Sequence, residues 1–525
     1  MRQIGFDNFR RFKHFPSLDL APITIFVGEN NAGKSTVVKG ILALSDFLKK
    51  WRVDDDMDFF IGERRKQKKH AIQKRLRNQK FYFNTSYLAH IGTFKRALYN
   101  KAKEGIITFS TSLGLMDLNI DVMGDRNDEE SVSGIISKVK VVYNSIGVTL
   151  LFDLQEDVAD VQFTPIELKE VGRYNSSLSG DELSELYKQY DKSVEFSFNI
   201  SDYYYFGFGP DLISTLTSSV EEAINSRLGI NSADRIIGLD ECLPSKPVLD
   251  IGEDIVKFLN VYVKMFGQRY RRAQFAFKLP RRPIRSILNI EYLYAHAVTQ
   301  TVIYSAKDTN DYLSRTIHEY ASTPKTSNDH RRTFIIRWMK VFGIGKDFLI
   351  TSVGGEAHIV KIQNHDDEWV NLSDKGMGSI QLMVLLFRLA ISLPKRTITD
   401  EETRRRAMLF STRIIIIEEP EQNLHPMLQS KLADFLFVLN NDYGYRFIIE
   451  THSEYLIRKT QVLVKENFND EDRPLKENPF KVYYFNSVSS DTPYYEIMYQ
   501  NDGNFSNDFG RGFFDEASNL AFEIL

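Results

Sequence analysis

The first stretch whose residue types could do chemistry is a glycine-rich segment near the start of the chain. It reads GENNAGKS and fits G-x-x-x-x-G-K-[ST] from Gly28 to Ser35. Glycines let backbone amides curl around a polyphosphate, and a helix that follows points its unpaired N–H groups at the anion. Lys34 would contact the β- and γ-phosphates, and Ser35 would ligate Mg²⁺. The pattern predicts ATP binding. The alternative, an ordinary glycine turn, is disfavoured because a strand precedes the motif and a helix follows it.

A second candidate is the stretch IIIIEEPE, from Ile414 to Glu421. Four β-branched residues predict a buried strand, and buried carboxylates are costly unless something pairs with them. A phosphate-binding loop needs an acidic partner for Mg²⁺ at the end of a neighbouring strand, so Glu418 is predicted to hold the metal. Glu419 is predicted to polarise the attacking water as a general base. The alternative is an acidic start to the next helix, worth under about 1 kcal/mol, and Glu421 is expected to do only that.

Two further segments place polar groups at the ends of predicted elements. The stretch LSDKGMGS, residues 372–379, precedes an apolar helix and forms a possible second anion site. The alternative there is a helix cap, with Ser379 as the N-cap. The stretch ETHS, residues 450–453, ends a strand. Its His452 is a candidate contact for a γ-phosphate, although a lone histidine is more often a structural hydrogen-bonding residue.

The elements that position these segments follow from the hydrophobic pattern. A strand over residues 23–27 leads into the glycine segment, and apolar residues with helical spacing follow it. Residues 105–165 contain successive predicted strands, and YYYFGFG at 203–209 is also strand-like. From residue 348 strands return, then an apolar helix, the isoleucine strand, and further helices and strands. We predict three segments: 1–165 with an antiparallel β lobe, 166–345 as a mixed, mostly helical insertion, and 346–525.

Composition limits the class of protein. The chain has 525 residues, 42% of them hydrophobic and 26% charged, with a net charge of −3, so no global basic field indicates nucleic-acid binding. One cysteine excludes an intrachain disulfide framework. No apolar run reaches the roughly 20 residues that would span a bilayer, and the N-terminus lacks a signal-peptide core. A soluble cytoplasmic protein without membrane contact is expected.

Taken together, these motifs resemble the ATP-binding cassette ATPases of the SMC, RecF and OLD group. More narrowly, the chain is similar to stand-alone AAA-type ATPases of bacterial genomes in which EEPE is followed by LHP, here Leu424 to Pro426. The likeness covers roughly residues 1–50 and 345–460. It implies an α/β fold: an ATPase head with a mixed sheet, helices on both of its faces and an antiparallel β lobe, carrying a mostly helical insertion.

The resemblance also implies roles for individual residues. Glu418 matches the metal-binding acid, Glu419 the catalytic glutamate and His452 the switch histidine, while Asn423 to Pro426 match the D-loop. Lys34 is implied in both ATP binding and catalysis, and Ser35 in both ATP and Mg²⁺ binding. The implied nucleotide-binding residues are Asn30, Asn31, Ala32, Gly33, Lys34, Ser35 and Thr36 of the first loop, and Ser373, Gly376, Gly378 and Ser379 of the signature loop. The signature reads LSDKGMGS instead of LSGGQ, and Glu stands at a metal position where Asp is common.

In such ATPases the signature loop of one subunit closes over ATP held by the other, so the resemblance implies a homodimer or a larger assembly of dimers. OLD nucleases carry a TOPRIM domain, and no such acidic pattern or HNH pattern is evident here. The chain therefore resembles the ATPases of Septu and retron-associated anti-phage defence systems, which implies an HNH-type nuclease partner and possibly a reverse transcriptase–msDNA complex. The alternatives are a RecF- or SMC-like DNA-repair ATPase and a non-hydrolysing ATP-gated scaffold.

Two basic runs bear on partners. The first spans residues 64–77, and the second, residues 268–285, interleaves cations with aromatic residues. Such composition suits a phosphate backbone and stacked bases. The first run is equally compatible with a solvated helix face or a lid, and the second with a protein partner.

Overall fold

The structure is a computed structural model, and it falls into two compact units. It describes residues 1–50, 65–84, 90–114, 116–125, 128, 130–167, 179–190, 192–203, 212–228, 249–266, 268–271, 274–276, 279, 289–293, 301–305, 307, 311–323, 329–394, 413–468, 477–487, 490, 492–500, 502–510 and 513–524. The antiparallel unit comprises Met1–Asp19 and Lys39–Leu288, and the parallel unit comprises Leu20–Val38 and Asn289–Leu525. Each unit is named after its main sheet.

The elements follow one another along the chain as strands and helices of ordinary length. The strands are β1 (Gln3–Phe9), β2 (Phe12–Asp19), β3 (Ile23–Gly28), β4 (Lys80–Tyr82), β5 (Ile106–Ser112), β6 (Asp117–Met123), β7 (Ser133–Tyr143), β8 (Val148–Asp153), β9 (Val158–Phe163), β10 (Val194–Asn199), β11 (Gln268–Arg271), β12 (Gln274–Ala276), β13 (Asn289–Leu293), β14 (Tyr304–Ser305), β15 (Asp347–Val353), β16 (Ala357–Gln363), β17 (Trp369–Asn371), β18 (Arg413–Glu418), β19 (Arg446–Glu450), β20 (Phe480–Phe485) and β21 (Tyr494–Ile497). The helices are α1 (Lys34–Lys50), α2 (Arg65–Arg77), α3 (Phe94–Ala97), α4 (Gly180–Tyr190), α5 (Ile200–Tyr203), α6 (Leu212–Arg227), α7 (Glu253–Phe266), α8 (Tyr312–Ser322), α9 (His330–Val341), α10 (Met377–Ile391), α11 (Pro426–Tyr443), α12 (Glu454–Phe468) and α13 (Glu516–Ile524).

The antiparallel unit is built on one large sheet. Its order is β10-β9-β8-β7-β6-β5-β1-β2, with β4 paired to β7, and the strand pairs described in it are antiparallel. Burial alternates residue by residue along β5, β6 and β8 because successive side chains point to opposite faces. On the buried face Phe109 stacks on Phe81 with ring centroids 4.7 Å apart. The strands predicted between residues 105 and 165 are confirmed.

The parallel unit is built on a sheet with the order β13-β18-β19-β3-β20-β21. The five strands from β13 to β20 run parallel, and β21 is antiparallel to β20. Every residue of β3 is buried, and so are the four isoleucines of β18. Continuous burial is typical of parallel strands covered on both faces. Because the strands are parallel, the carboxyl ends of β3, β18 and β19 meet at one edge.

Helices of the parallel unit share one hydrophobic core with this sheet. The apolar helix α10 is buried along most of its length, and aromatic residues fill the space between α9 and α11. The Phe435 ring lies 4.7 Å from Trp338 and 5.6 Å from Phe342. A smaller sheet, β14-β16-β15 with β17 paired to β16, belongs to the same unit. The predicted α/β class, with its antiparallel lobe, is confirmed.

Some sequence predictions fall outside the described residues or change in the structure. Of the strand-like YYYFGFG, Tyr203 ends helix α5 instead, and residues 204–209 are outside the described part. The segment 166–345 contains both helices and short strands where it is described. The division into 1–165, 166–345 and 346–525 stays a prediction.

The two basic runs are described only in part. Most of the first run forms helix α2, whose Lys69 amine lies 2.6 Å from the Asp202 carboxylate. Farther along α2, Gln73 donates to Asp157, and Arg77 donates to the carbonyl oxygen of Gln155. This helix is therefore held against the antiparallel unit by polar contacts. Strands β11 and β12 carry part of the second run, and apart from Leu279 the rest of it lies outside the described residues.

In the part of the chain that is described, no helix combines the length and the apolar character needed to cross a membrane.

The aromatic cluster predicts where the parallel unit is most sensitive to truncation. Phe435 is fully buried, so Phe435→Ala should lower the free energy of unfolding by about 3–5 kcal/mol through lost burial and a residual cavity. Phe522 is 73% exposed, and Phe522→Ala should change it by less than about 0.5 kcal/mol. Urea unfolding followed by tryptophan fluorescence measures both. Equal effects of the two substitutions would contradict the assigned core.

Candidate active site

The glycine-rich loop joins β3 directly to α1, and neighbouring backbone constrains it tightly. Gly28 has φ +131°, and a Cβ there would collide with the backbone oxygen of Phe485 on β20. Gly33 has φ +104°, and Asn31 adopts a left-handed φ of 62°. These conformations favour glycine and asparagine. The predicted residues Asn30 to Thr36 thus form a tight turn that ends at the first residues of α1.

Lys34 lies inside this turn. Its side chain is nearly completely buried, and its amine donates to the carbonyl oxygens of Gly28 and Glu29, each at 2.9 Å. Burial lowers the pKa of Lys34, whereas the carboxylates of Glu450 and Glu419 act in the opposite direction. The ammonium group is therefore held at the loop, within electrostatic range of two acids. This arrangement suits a cation that contacts phosphate oxygens.

The metal-binding acid predicted from the sequence has an acidic neighbour. Glu418 ends β18, and its register partner on the adjacent parallel strand β19 is Glu450. The Ser35 hydroxyl donates to Oε1 of Glu450 at 2.9 Å. Ser35, Glu418 and Glu450 therefore come together at the carboxyl edge of the sheet, and all three offer the hard oxygen atoms that Mg²⁺ prefers.

These residues fit a magnesium ion that is also held by phosphate. Within the described residues, no group of three or more His, Cys, Asp or Glu side chains forms a metal site by itself. Magnesium commonly binds through one or two protein groups plus substrate phosphates and water. Oε2 of Glu450 is buried, and no group in the described part of the chain forms a hydrogen bond with it. A hydrated cation at this edge would supply the donors that this oxygen lacks.

The acidity of Glu450 is also changed at this site. Burial raises the pKa of Glu450 to about 7, and repulsion from Glu418 adds to this effect, while the Ser35 hydrogen bond and Lys34 oppose it. The cause is the cost of holding two carboxylates next to one another away from water. Near neutral pH this carboxyl is therefore close to half ionised.

The chain turns sharply out of β18 at Glu419, the predicted general base. Its φ is +45°, and its backbone N–H donates to the carbonyl oxygen of Glu450 at 2.7 Å. Left-handed backbone in a residue other than glycine is costly and concentrates at functional sites. The Gln422 side-chain amide donates to Oε2 of Glu419, which orients the carboxylate.

His452 lies on the segment that follows β19. Its backbone N–H donates to Oε1 of Glu421 at 2.7 Å. Burial lowers the pKa of His452, Lys34 lowers it further, and Glu419 acts against both. The structure thus brings His452 within electrostatic range of Lys34 and Glu419. Its assigned role at the γ-phosphate stays a prediction.

The signature segment begins helix α10, but the expected cap is wrong. The N-cap is Gly376, no side chain caps the helix, and Ser379 lies in the first turn. A Cβ on Gly378 would come within 2.5 Å of the carbonyl oxygen of Asn423, so the D-loop packs against this turn. Ser373 lies on the preceding 3-10 turn, where its hydroxyl donates to Asp374 at 3.2 Å. The first turn of α10 is thus tied to the loop that follows Glu419.

Sequence reasoning missed two acidic residues of the site. In the sequence, Glu450 drew notice only as the residue before Thr451 and His452. The signal that could have identified it as a site residue was a carboxylate at the end of a predicted strand. Glu421 was expected to start the next helix, but α11 begins at Pro426 with His425 as its N-cap. Glu421 is instead buried, and burial raises its pKa. Its contact with His452 links the acidic loop to the histidine.

A comparison with protein families identifies the family of this chain. The family model described as an AAA ATPase domain matches residues 1–241 and 266–457. A comparison with curated proteins gave no match. Among solved structures, the chain is similar to an SMC head domain from Thermotoga maritima, at 8% identity over 95% of this chain and 100% of that chain, with a TM-score of 0.29. It is also similar to an SMC head domain with an extended coiled coil bound to the C-terminal domain of ScpA from Pyrococcus furiosus, at 10% identity over 100% and 98% of the chains, with a TM-score of 0.32.

The raised pKa of Glu450 predicts how stability depends on pH without metal. A carboxyl with a pKa of 4.5 when unfolded and about 7 when folded binds its proton more tightly in the folded state. Below pH 4.5 the carboxyl is neutral in both the folded and the unfolded state, so it does not lower the free energy of unfolding. The free energy of unfolding then falls as pH rises from 4.5 through about 7, because ionisation is more costly in the folded state. Glu450→Gln should remove this loss. Between pH 5 and pH 8 the wild type should therefore lose about 2–3 kcal/mol of unfolding free energy that the variant keeps.

Urea unfolding in EDTA at both pH values measures this difference. Glu454→Gln, at the partly exposed first residue of α12, is the matched control and should follow the wild type. The same pH dependence in wild type and Glu450→Gln would rule out the assigned titration.

Proposed function

Because the chain belongs to the AAA ATPase domain family, we propose that it binds ATP together with Mg²⁺ and hydrolyses ATP to ADP and phosphate. The observation that carries this proposal is the common edge where β3, β18 and β19 end. The glycine-rich loop, two adjacent carboxylates and the residue Glu419 all meet there. A loop for phosphates beside acids for a metal is the arrangement that phosphoryl transfer requires.

In this proposal the residues of the first loop hold the nucleotide. Backbone N–H groups from Asn30 to Thr36 contact the phosphates, and the Lys34 amine donates to the β- and γ-phosphate oxygens. The Ser35 hydroxyl and Glu418 hold Mg²⁺. When bound, the metal neutralises charge on the phosphate oxygens.

Glu419 is the proposed general base. Its carboxylate accepts a proton from a water molecule as that water's oxygen bonds to the γ-phosphorus. The bond between the γ-phosphorus and the bridging oxygen breaks, and ADP leaves with the electron pair. Gln422 holds the carboxylate in one orientation, which favours a fixed water position. His452, whose pKa is lowered, is expected to be neutral and to donate one ring N–H to a γ-phosphate oxygen.

Two substitutions separate binding from chemistry. Lys34→Ala removes a charge-assisted contact and should weaken ATP binding about 10- to 100-fold. Glu419→Gln should preserve binding but lower the turnover rate about 10²- to 10⁴-fold, because the amide cannot accept the water proton. Isothermal calorimetry and phosphate release measure the two effects. Lys39→Ala, farther along α1, is the lysine control, and full turnover by Glu419→Gln would exclude it as the base.

We extend the proposal to a homodimer in which the signature segment of each copy closes on ATP held by the other. Gly376 at the start of α10 supports it: within the described residues no heavy atom lies within 4 Å of the position that a Cβ would occupy there, apart from its chain neighbours. No side chain caps this helix end, so its backbone N–H groups can receive an anion. Ser373, Gly378 and Ser379 are the other proposed contacts.

The dimer predicts a charge-specific effect at Gly376. Gly376→Glu should abolish ATP-dependent dimerisation, because it places a carboxylate where the γ-phosphate of the other copy would bind, whereas the equally large Gly376→Gln should retain most of it. Both changes are made in the Glu419→Gln background, which slows turnover. Light scattering with ATP and Mg²⁺ measures the mass. Equal dimerisation by the two variants would exclude the signature contact.

We further propose that ATP turnover controls a separate effector, an HNH-type nuclease in anti-phage defence. The support is the resemblance of EEPE followed by LHP to such stand-alone ATPases. A conformation that differs between ATP and ADP can bias a bound partner only through different contacts in each state. This role is tested by reconstitution with an HNH nuclease encoded by an adjacent gene, or with a reverse transcriptase–msDNA complex. The measurement is nuclease activity with ATP and with ADP. A RecF- or SMC-like repair ATPase would instead bind DNA in an ATP-dependent and steeply salt-dependent way without a nuclease.

A further inference from the structure

Glu450 is a second acid at the site whose burial costs free energy. The ATP hydrolysis proposed above assigns no role to it. It ends β19 between β18 and β3, with Glu418 and Phe26 as its register partners. Neighbouring strands lie about 4.8 Å apart, so two carboxylates face the same edge at short range. Glu450 is only 6% exposed. Such a pair is unfavourable unless it receives compensation.

The groups seen around Glu450 compensate for it only partly. The Ser35 hydroxyl donates one hydrogen bond, which contributes about 1 kcal/mol, whereas a buried charge costs several kcal/mol. The nearby Lys34 amine donates to the carbonyl oxygens of Gly28 and Glu29. Oε2 of Glu450 is buried without a hydrogen-bond donor from the described residues. Structural packing alone gives no reason for this acid.

We infer that Glu450 is a positioning residue for the metal, an inference that rests on the proposed function. Its Oε1 accepts the hydrogen bond of the Ser35 hydroxyl, which leaves the lone pairs of the Ser35 oxygen free to face a bound Mg²⁺. Its buried Oε2 would accept a hydrogen bond from a water held by that metal. Groups that orient a ligand in this way usually change metal affinity 10- to 100-fold when they are removed.

The test is a Mg²⁺ titration of ATP binding to the full chain, using a fluorescent ATP analogue. In EDTA, Glu450→Gln should bind the analogue at least as tightly as the wild type, because the substitution removes a negative charge near the phosphates and leaves Lys34 in place. With Mg²⁺, the concentration that gives half of the metal-dependent gain in affinity should rise about 10- to 100-fold. Glu450→Asp, which keeps the charge, should recover part of this loss, and Glu454→Gln should change nothing. A Glu450→Gln midpoint within twofold of the wild type overturns the inference.

A cycle with Ser35→Ala tests whether Glu450 acts through Ser35. If it does, the double variant should need less Mg²⁺ than the product of the two single effects predicts, because Ser35→Ala already removes the part of the Glu450 effect that passes through Ser35. Fully multiplicative effects would overturn this route. If the wild type binds no ATP analogue at all, the proposed function fails and this inference fails with it. If the wild type binds the analogue normally but Glu450→Gln has an unchanged Mg²⁺ midpoint, the inference about Glu450 fails and the proposed function stands.

Discussion

The rest of the site depends on the cost of holding carboxylates at the buried edge of a parallel sheet. Strands β18 and β19 run in register, so Glu418 and Glu450 are direct neighbours. Continuous apolar burial secures the strands in the core, and it also deprives the two acids of water. That penalty sets the acidity of Glu450 and requires a cation or hydrogen-bond donors at the same place.

The phosphate loop meets this demand because other strands shape it. β20 lies so close to Gly28 that a side chain there has no room, and the chain must turn at once. The turn brings Lys34 inward and places Ser35 against Glu450. Cation, hydroxyl and acids thus come together through backbone packing. Flexible side chains alone would lose much conformational entropy in adopting the same arrangement.

A second set of contacts joins the acidic loop to the more distant parts of the site. Glu421 accepts the backbone N–H of His452, so the histidine segment and the loop after β18 are linked. Gly378 packs on the carbonyl oxygen of Asn423, which links the start of α10 to the same loop. A displacement of Glu419 can therefore reach the His452 segment and the start of α10 through short paths of covalent bonds, hydrogen bonds and packing contacts. In the proposed dimer, these are the segments that would respond to the nucleotide.

The amino-acid sequence alone was sufficient for features with local signatures. The spacing of Gly28, Gly33 and Lys34 predicts a phosphate loop because the motif occupies one turn, and the isoleucine run predicts a buried strand because its burial is continuous. Tertiary structure decided what depends on register and on neighbouring segments. Glu450 is part of the site because Glu418 lies beside it on the neighbouring strand. Glu421 is part of it because its carboxylate accepts the backbone N–H of His452. The N-cap of α10 is Gly376 and not Ser379. Glu450 has only a weak sequence signal, a carboxylate at a strand end, and the other two have none, because each arises from residues that are distant along the chain or from a helix start that packing defines.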